Sequence, residues 1–148
     1  MKKKLLLFVM ILLPMVASAD AVEIDGIYYN LITKGNIAEV TYNPDNYSRY
    51  TGSISIPEKV SYNNVDYNVT SIGESAFRSC FSLTSITIPN SVTSIKITAF
   101  FDCGELTSVV IPNSVTTIGD GAFEGCSSLT SLTISNSVTF IGANAFYI

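Results

Sequence analysis

Three cysteines, Cys80, Cys103 and Cys126, are the residues of this chain best equipped for chemistry, and they stand 23 residues apart. A thiol attacks only as thiolate, and a neighbouring histidine is a common base for making one. The chain has no histidine, which also removes the commonest metal ligand. Equal spacing points instead to one column. If each 23-residue segment forms one rung of a parallel stack, neighbouring thiols lie about 4.8 Å apart. Cysteines at that separation can form a disulfide in an exported chain, although an odd count leaves one over. We read them as three buried thiols that pack like small apolar groups. The carboxylates form no column. Glu74 and Asp120 share a phase, but Ile97 and Ala143 interrupt it, and Asp102, Glu105 and Glu124 fall at other phases. A calcium ladder needs oxygen ligands recurring at fixed positions, so these carboxylates read as solvated charges. Neither a glycine-rich phosphate loop nor a Ser–His–Asp set occurs. The expectation is a chain with no catalytic residue, no metal site and no cofactor.

The 23-residue interval governs everything from Val69 onward. Residues 83–105 read LTSITIPNSVTSIKITAFFDCGE and residues 106–128 read LTSVVIPNSVTTIGDGAFEGCSS. A third unit, LTSLTISNSVTFIGANAF, opens at Leu129, and VTSIGESAFRSCFS at 69–82 is the tail of an earlier one. Fixed periodicity of this length marks a solenoid, and the L-x-x-L-x-L opening places it among leucine-rich repeats. Numbered from its first Leu, the unit 106–128 is apolar at Leu106, Val109, Ile111, Val115, Ile118, Ala122, Phe123 and Cys126. Neither a period of 2 nor one of 3.6 fits that set, so the unit is neither one strand nor one helix. The β-branched run Leu106–Ile111 predicts a strand. Pro112 cannot donate to a ladder and closes it, with Asn113 and Ser114 in the turn. Val115–Ile118 predicts a second extended piece, Gly119 a bend, and Ala122–Phe123 a short helical or turn segment plugging the coil. A single coil buries too little apolar surface to stand alone, so stability belongs to the stack. The expected fold is a mainly β solenoid with a parallel strand ladder. Its coils are partial at 69–82, full at 83–105 and 106–128, and incomplete at 129–148.

Such a stack presents the outward residues of its strands as one face. Here these are Thr84, Ser85 and Thr87, then Thr107, Ser108 and Val110, then Thr130, Ser131 and Thr133. They form the candidate binding face, an uncharged Ser/Thr sheet of adaptable hydrogen-bonding groups. Extended solenoid faces are where repeat proteins bind partners, although this one lacks the aromatic and arginine anchors of a typical hot spot.

The chain opens with Lys2–Lys4, an apolar run from Leu5 to Val16, and Ala17-Ser18-Ala19. That order predicts a secretory signal peptide, residues 1–19, cut after Ala19. The run is too short for a transmembrane span, which needs about 18 or more apolar residues. Removing three lysines leaves five cationic residues against twelve acidic ones, about −7 net. An acidic exported chain is not built to bind nucleic acid, which calls for clustered Lys and Arg. Residues 20–68 are out of phase with the repeat and read as a β-rich N-terminal cap. Asp25-Gly26 predicts a hairpin turn, and Asn43–Asn46 a turn after the extended stretch Ile37–Tyr42. Ile54, Ile56 and Pro57 match the repeat, after which nine inserted residues predict a second hairpin turning at Asn63-Asn64. Most of the tyrosines fall in this cap, at its packed margin or on a binding face.

With these positions laid out, the units LTSITIPNSVTSI…AF..C and LTSVVIPNSVTTIGDGAFEGC resemble the BspA-like, or Treponema pallidum type, class of leucine-rich repeats. The resemblance is close over 69–148 and looser over the cap. It implies an exported, non-catalytic surface protein of a host-associated bacterium. It also implies adhesion to host matrix proteins such as fibronectin or fibrinogen, or to other bacteria. Two departures stand out. Lys96 occupies the phase held by Gly73, Gly119 and Gly142, so that coil is expected to bend differently, and Ser135 replaces the proline of Pro89 and Pro112. The last coil stops two residues after Phe146, leaving an unpaired strand edge and the expectation of self-association through 129–148. Two rival readings are an assembly module that completes a larger partner and a carbohydrate-binding module using the tyrosine-rich cap.

Overall fold

In a computed structural model the chain is described over residues 21–46 and 50–148; the expected signal peptide lies outside the described residues. Twelve strands form two sheets, and no helix occurs among the described residues. β4 (Gly52–Ser55), β7 (Leu83–Thr87), β9 (Ser108–Val110) and β11 (Ser131–Thr133) run parallel in a four-stranded sheet. The second sheet begins with β1 (Val22–Ile24), β2 (Ile27–Ile32) and β3 (Ile37–Thr41), then takes in β6 (Val65–Ile72) with β5 (Lys59–Tyr62) on its flank. It continues through three two-residue strands, β8 (Ser94–Ile95), β10 (Thr117–Ile118) and β12 (Phe140–Ile141). Each coil therefore has three sides: a strand of the four-stranded sheet, a short strand of the second sheet, and a layer of turns.

The inward residues follow from the 23-residue phase. Leu83, Leu106, Val92, Val115, Ile95, Ile118, Ala99 and Ala122 are all buried. Phe77, Phe100, Phe123 and Phe146 stack face to face, with centroids 5.0, 4.9 and 5.4 Å apart and planes within 8° of parallel. Tyr50 starts this column, 4.7 Å from Phe77 and tilted by 50°. Its hydroxyl donates to the Thr41 carbonyl at 3.1 Å and accepts the Tyr28 N–H at 2.9 Å. The aromatic column is thereby tied to the antiparallel strands at one end.

The segment Ala122–Phe123 lies in turns, not in a helix. Two residues of every complete turn layer take positive φ: Ser75 and Ser79, Thr98 and Asp102, Gly121 and Gly125. The left-handed region is rare for a β-branched residue such as Thr98. Bonds to the next coil hold the layer in place, among them Thr98 N–H to Asp120 O at 2.9 Å and Phe100 N–H to Ala122 O at 2.7 Å. The glycine phase has a different cause. A Cβ on Gly119 would sit 2.6 Å from the Ile97 nitrogen, so the preceding coil leaves no room for one.

Lys96 does not change the bend. Its N–H donates to Ile72 O at 2.9 Å, matching Gly119 to Ile95 and Gly142 to Ile118, both at 2.8 Å. Its side chain reaches Glu39 of β3, Nζ to Oε2 2.5 Å, so the departure from glycine adds a contact to the cap. With Lys96 about half exposed, such a pair contributes about 0–1 kcal/mol. Ser135, in place of proline, donates its hydroxyl to Pro112 O at 3.2 Å.

The cap is continuous with the solenoid. Asp25 (φ 50°) and Gly26 (φ 83°) form the β1–β2 turn, and Asn63 (φ 50°) and Asn64 (φ 61°) form the β5–β6 turn. Consecutive left-handed residues suit the two-residue hairpin turn whose twist matches the strands. β3 then pairs parallel with β6, with a bulge at Ala38/Glu39, and closes the N-terminal end of the second sheet. Tyr28, Tyr29, Tyr50 and Tyr67 are buried in the core. These four rings are core, whereas Tyr62 of the same cap is exposed.

Phe123 is fully buried between two rings, whereas Phe146 is partly exposed with a ring on one face only. Phe123→Ala is expected to cost about 3–5 kcal/mol in denaturant titrations, and Phe146→Ala about half of that or less. Equal losses would contradict this picture of the stack.

Candidate binding face

All nine predicted face residues lie on or beside β7, β9 and β11. Ser85, Ser108 and Ser131 are aligned rung by rung, and Ser53 of β4 extends their column, its hydroxyl bonded to that of Ser85. The threonines that open each rung serve the backbone. Thr107 Oγ1 donates to Thr84 O at 3.3 Å and Thr130 Oγ1 to Thr107 O at 3.4 Å. These hydroxyls reinforce the ladder, and their donor capacity is already used.

The third phase of the face behaves differently. Thr87, Val110 and Thr133 border a groove of about 460 Å³ whose floor and rim include Ile86, Ile88, Ile111 and Pro112 with the Asn90 and Asn113 carboxamides. The groove marks a seam in the four-stranded sheet. β4 pairs with β7 as far as Ser55↔Thr87 and β9 with β11 as far as Val110↔Thr133, but β7 and β9 pair at Ser85↔Ser108 alone. Ile56 N–H bonds Thr87 O at 3.1 Å and Ile111 N–H bonds Thr133 O at 2.8 Å; no such bond joins Ile88 to Val110. Val110 is 65 % exposed at this opening, the one apolar residue among the nine. No charged side chain lines the groove. The asparagines were not anticipated as site residues, yet their recurrence at one phase, Asn90, Asn113 and Asn136, was available as a signal.

Cys80, Cys103 and Cys126 are buried thiols in one line, none in a disulfide. Cys103 Sγ donates to Phe77 O at 3.0 Å and Cys126 Sγ to Phe100 O at 3.2 Å, each reaching the preceding coil. Burial pushes the Cys80 thiol from its ordinary 9.0 up to about 11. The hydrogen bond with Cys126, and then burial, hold Cys103 above the ordinary range. The same contact with Cys103 draws Cys126 below the ordinary range, with burial opposing it. Cys80 and Cys103, kept protonated, pack as small apolar groups.

Regular coils, two parallel ladders and an uncharged outer face define a leucine-rich-repeat solenoid. The chain belongs to the BspA type leucine rich repeat family, whose repeat region matches residues 54–148 in six copies. A leucine rich cell surface protein of Faecalibacterium prausnitzii is similar in structure, with a TM-score of 0.72 and 34% identity over 87% of this chain and 34% of that one. A leucine-rich repeat protein of Bacteroides ovatus gives a TM-score of 0.74 and 34% identity over 85% of this chain and 32% of that one. The chain thus spans about a third of the length of these two proteins. The Treponema pallidum leucine rich repeat protein, 23% identical over 82% of this chain and 64% of that one, shares the fold at a TM-score of 0.60. No curated protein sequence matches. No helix among the described residues is long and apolar enough to cross a membrane.

The thiols give a test of the packing. The raised folded-state value of Cys80 means that its thiol favours the fold fully below pH 9.0, and that this contribution is lost as pH climbs towards about 11. The native protein at pH 8 should leave all three cysteines unlabelled by a disulfide reagent, and the denatured chain should react at all three. Urea midpoints of the wild type should fall faster between pH 9 and 11 than those of Cys80→Ala. Rapid native labelling would refute the buried assignment.

Proposed function

We propose that the chain is an exported, non-catalytic cell-surface protein that binds other surface macromolecules through the face of β7, β9 and β11. The observation that carries this reading is the seam at Thr87 and Val110. There an otherwise regular ladder opens into an uncharged groove with an exposed valine at its mouth. Family membership supports a binding role, and the Faecalibacterium relative, a cell surface protein, supports the location. Matrix proteins such as fibronectin and fibrinogen are the partners to try first. The full chain should be captured on immobilised fibronectin or fibrinogen, and Val110→Lys, which places an unpaired charge in the groove, should weaken capture about tenfold or more. Capture that survives both Val110→Lys and Thr133→Lys would remove binding from this face.

A second reading, assembly, is favoured by the rung at 129–148. Ile141 is 49 % exposed where its counterparts Ile118 and Ile95 are buried, and Phe140 is 56 % exposed. An open rung of this kind docks on a further rung. Appending a polar capping coil should then convert self-associated chain to monomer in sedimentation. A monomer at high concentration without the cap would exclude the second reading.

A further inference from the structure

The turn layer differs in chemistry from the strand face. All five carboxylates of residues 69–148, Glu74, Asp102, Glu105, Asp120 and Glu124, fall within its phases, against two cations, Arg78 and Lys96. The same layer exposes large apolar side chains: Phe81 by 59 %, Ile97 by 48 % and Tyr147 by 67 %. Rung-to-rung bonds order one line of it. Ser79 N–H to Phe101 O (2.7 Å), Asp102 N–H to Glu124 O (2.8 Å) and Gly125 N–H to Tyr147 O (2.8 Å) set Arg78, Phe101, Glu124 and Tyr147 in successive coils. The line reads guanidinium, ring, carboxylate, ring. Its first pair is already engaged, with the Arg78 guanidinium carbon 4.8 Å from the Phe101 ring centroid.

We propose that this turn-layer line is a second interaction surface, taking an arginine-bearing segment of a protein partner. An incoming guanidinium can repeat over Tyr147 what Arg78 does over Phe101, while its planar donors reach the Glu124 carboxylate between the two rings. Charge complementarity selects the occupant. Acidic surroundings repel nucleic acid and anionic lipid, and favour a basic peptide. The two rings distinguish arginine from lysine, because a guanidinium stacks on a ring and keeps its in-plane hydrogen bonds, whereas an ammonium is a compact, strongly hydrated charge. The surface is separate from the uncharged strand-face groove and stands independently of the function proposed for it.

The test uses two labelled peptides of equal charge, one alternating arginine with serine and one alternating lysine with serine, titrated against the full chain by fluorescence anisotropy. The arginine peptide is expected to bind about tenfold more tightly, the equivalent of about 1.4 kcal/mol. Tyr147→Ala and Glu124→Gln should each weaken it several-fold, Phe101→Leu, which keeps the bulk of a half-buried side chain, should weaken it less, and Val110→Lys on the other face should leave it unchanged. Circular dichroism melts confirm that each variant is folded before comparison. Equal binding of the two peptides, full binding by folded Tyr147→Ala, loss of binding in Val110→Lys, or no binding by the wild type would each overturn the proposal.

Discussion

The hydrogen-bonded ladder between equivalent residues of successive coils is the constraint on which the rest of the structure depends. Thr93 N–H to Thr70 O, Thr116 to Thr93 and Thr139 to Thr116 repeat at 2.9, 2.9 and 2.8 Å, and a threonine hydroxyl doubles each of them. The ladder fixes the vertical spacing at about one strand separation. Side chains of like phase must then pack on copies of themselves. Phenylalanine rings near 5 Å apart, cysteines bonded to the carbonyl of the coil before, and glycines pressed against neighbouring backbone all follow from that spacing. The one large insertion, the β5–β6 hairpin, lies on the flank of the second sheet, where it leaves the later columns in phase.

The outer surface varies most where the ladder is least complete or its outer residues least uniform. The strand face is built largely of hydroxyls, some of them already committed to backbone carbonyls, and becomes distinctive only where β7 and β9 part. All five carboxylates of residues 69–148 fall in the phases of the turn layer, and none on the strand face. A solenoid can therefore carry two surfaces of contrasting chemistry on opposite sides of one backbone path. Repeat drift on one surface does not disturb the other, since the phases are independent.

At the N-terminal end, closure is achieved by hydrogen-bonded continuation of the second sheet and not by a separate plug. β3 adds a rung to the short-strand side, Tyr50 takes the terminal place in the aromatic column, and Glu39 meets Lys96 two rungs away. These three contacts join residues distant in sequence and outside the 23-residue register. Among the described residues, Tyr28, Tyr29, Tyr50 and Tyr67 are core residues of this end.

The sequence by itself determined the coil length, the inward columns and the outward phases, because a 23-residue period repeats the same local preferences in the same frame. Both asparagine and Asp-Gly hairpin turns were likewise legible, since left-handed φ is a local demand that few residue types meet. Tertiary structure alone decided three things. The turn layer takes left-handed φ at Ser75, Ser79 and Thr98, residues with no strong local preference for it, because bonds to the next coil outweigh the local cost. Lys96 keeps the bend that glycine makes elsewhere, because its backbone bond is unchanged and its side chain finds Glu39. The groove at Thr87 and Val110 opens because pairing between β7 and β9 stops after one residue pair, a difference between two coils whose sequences there are nearly the same.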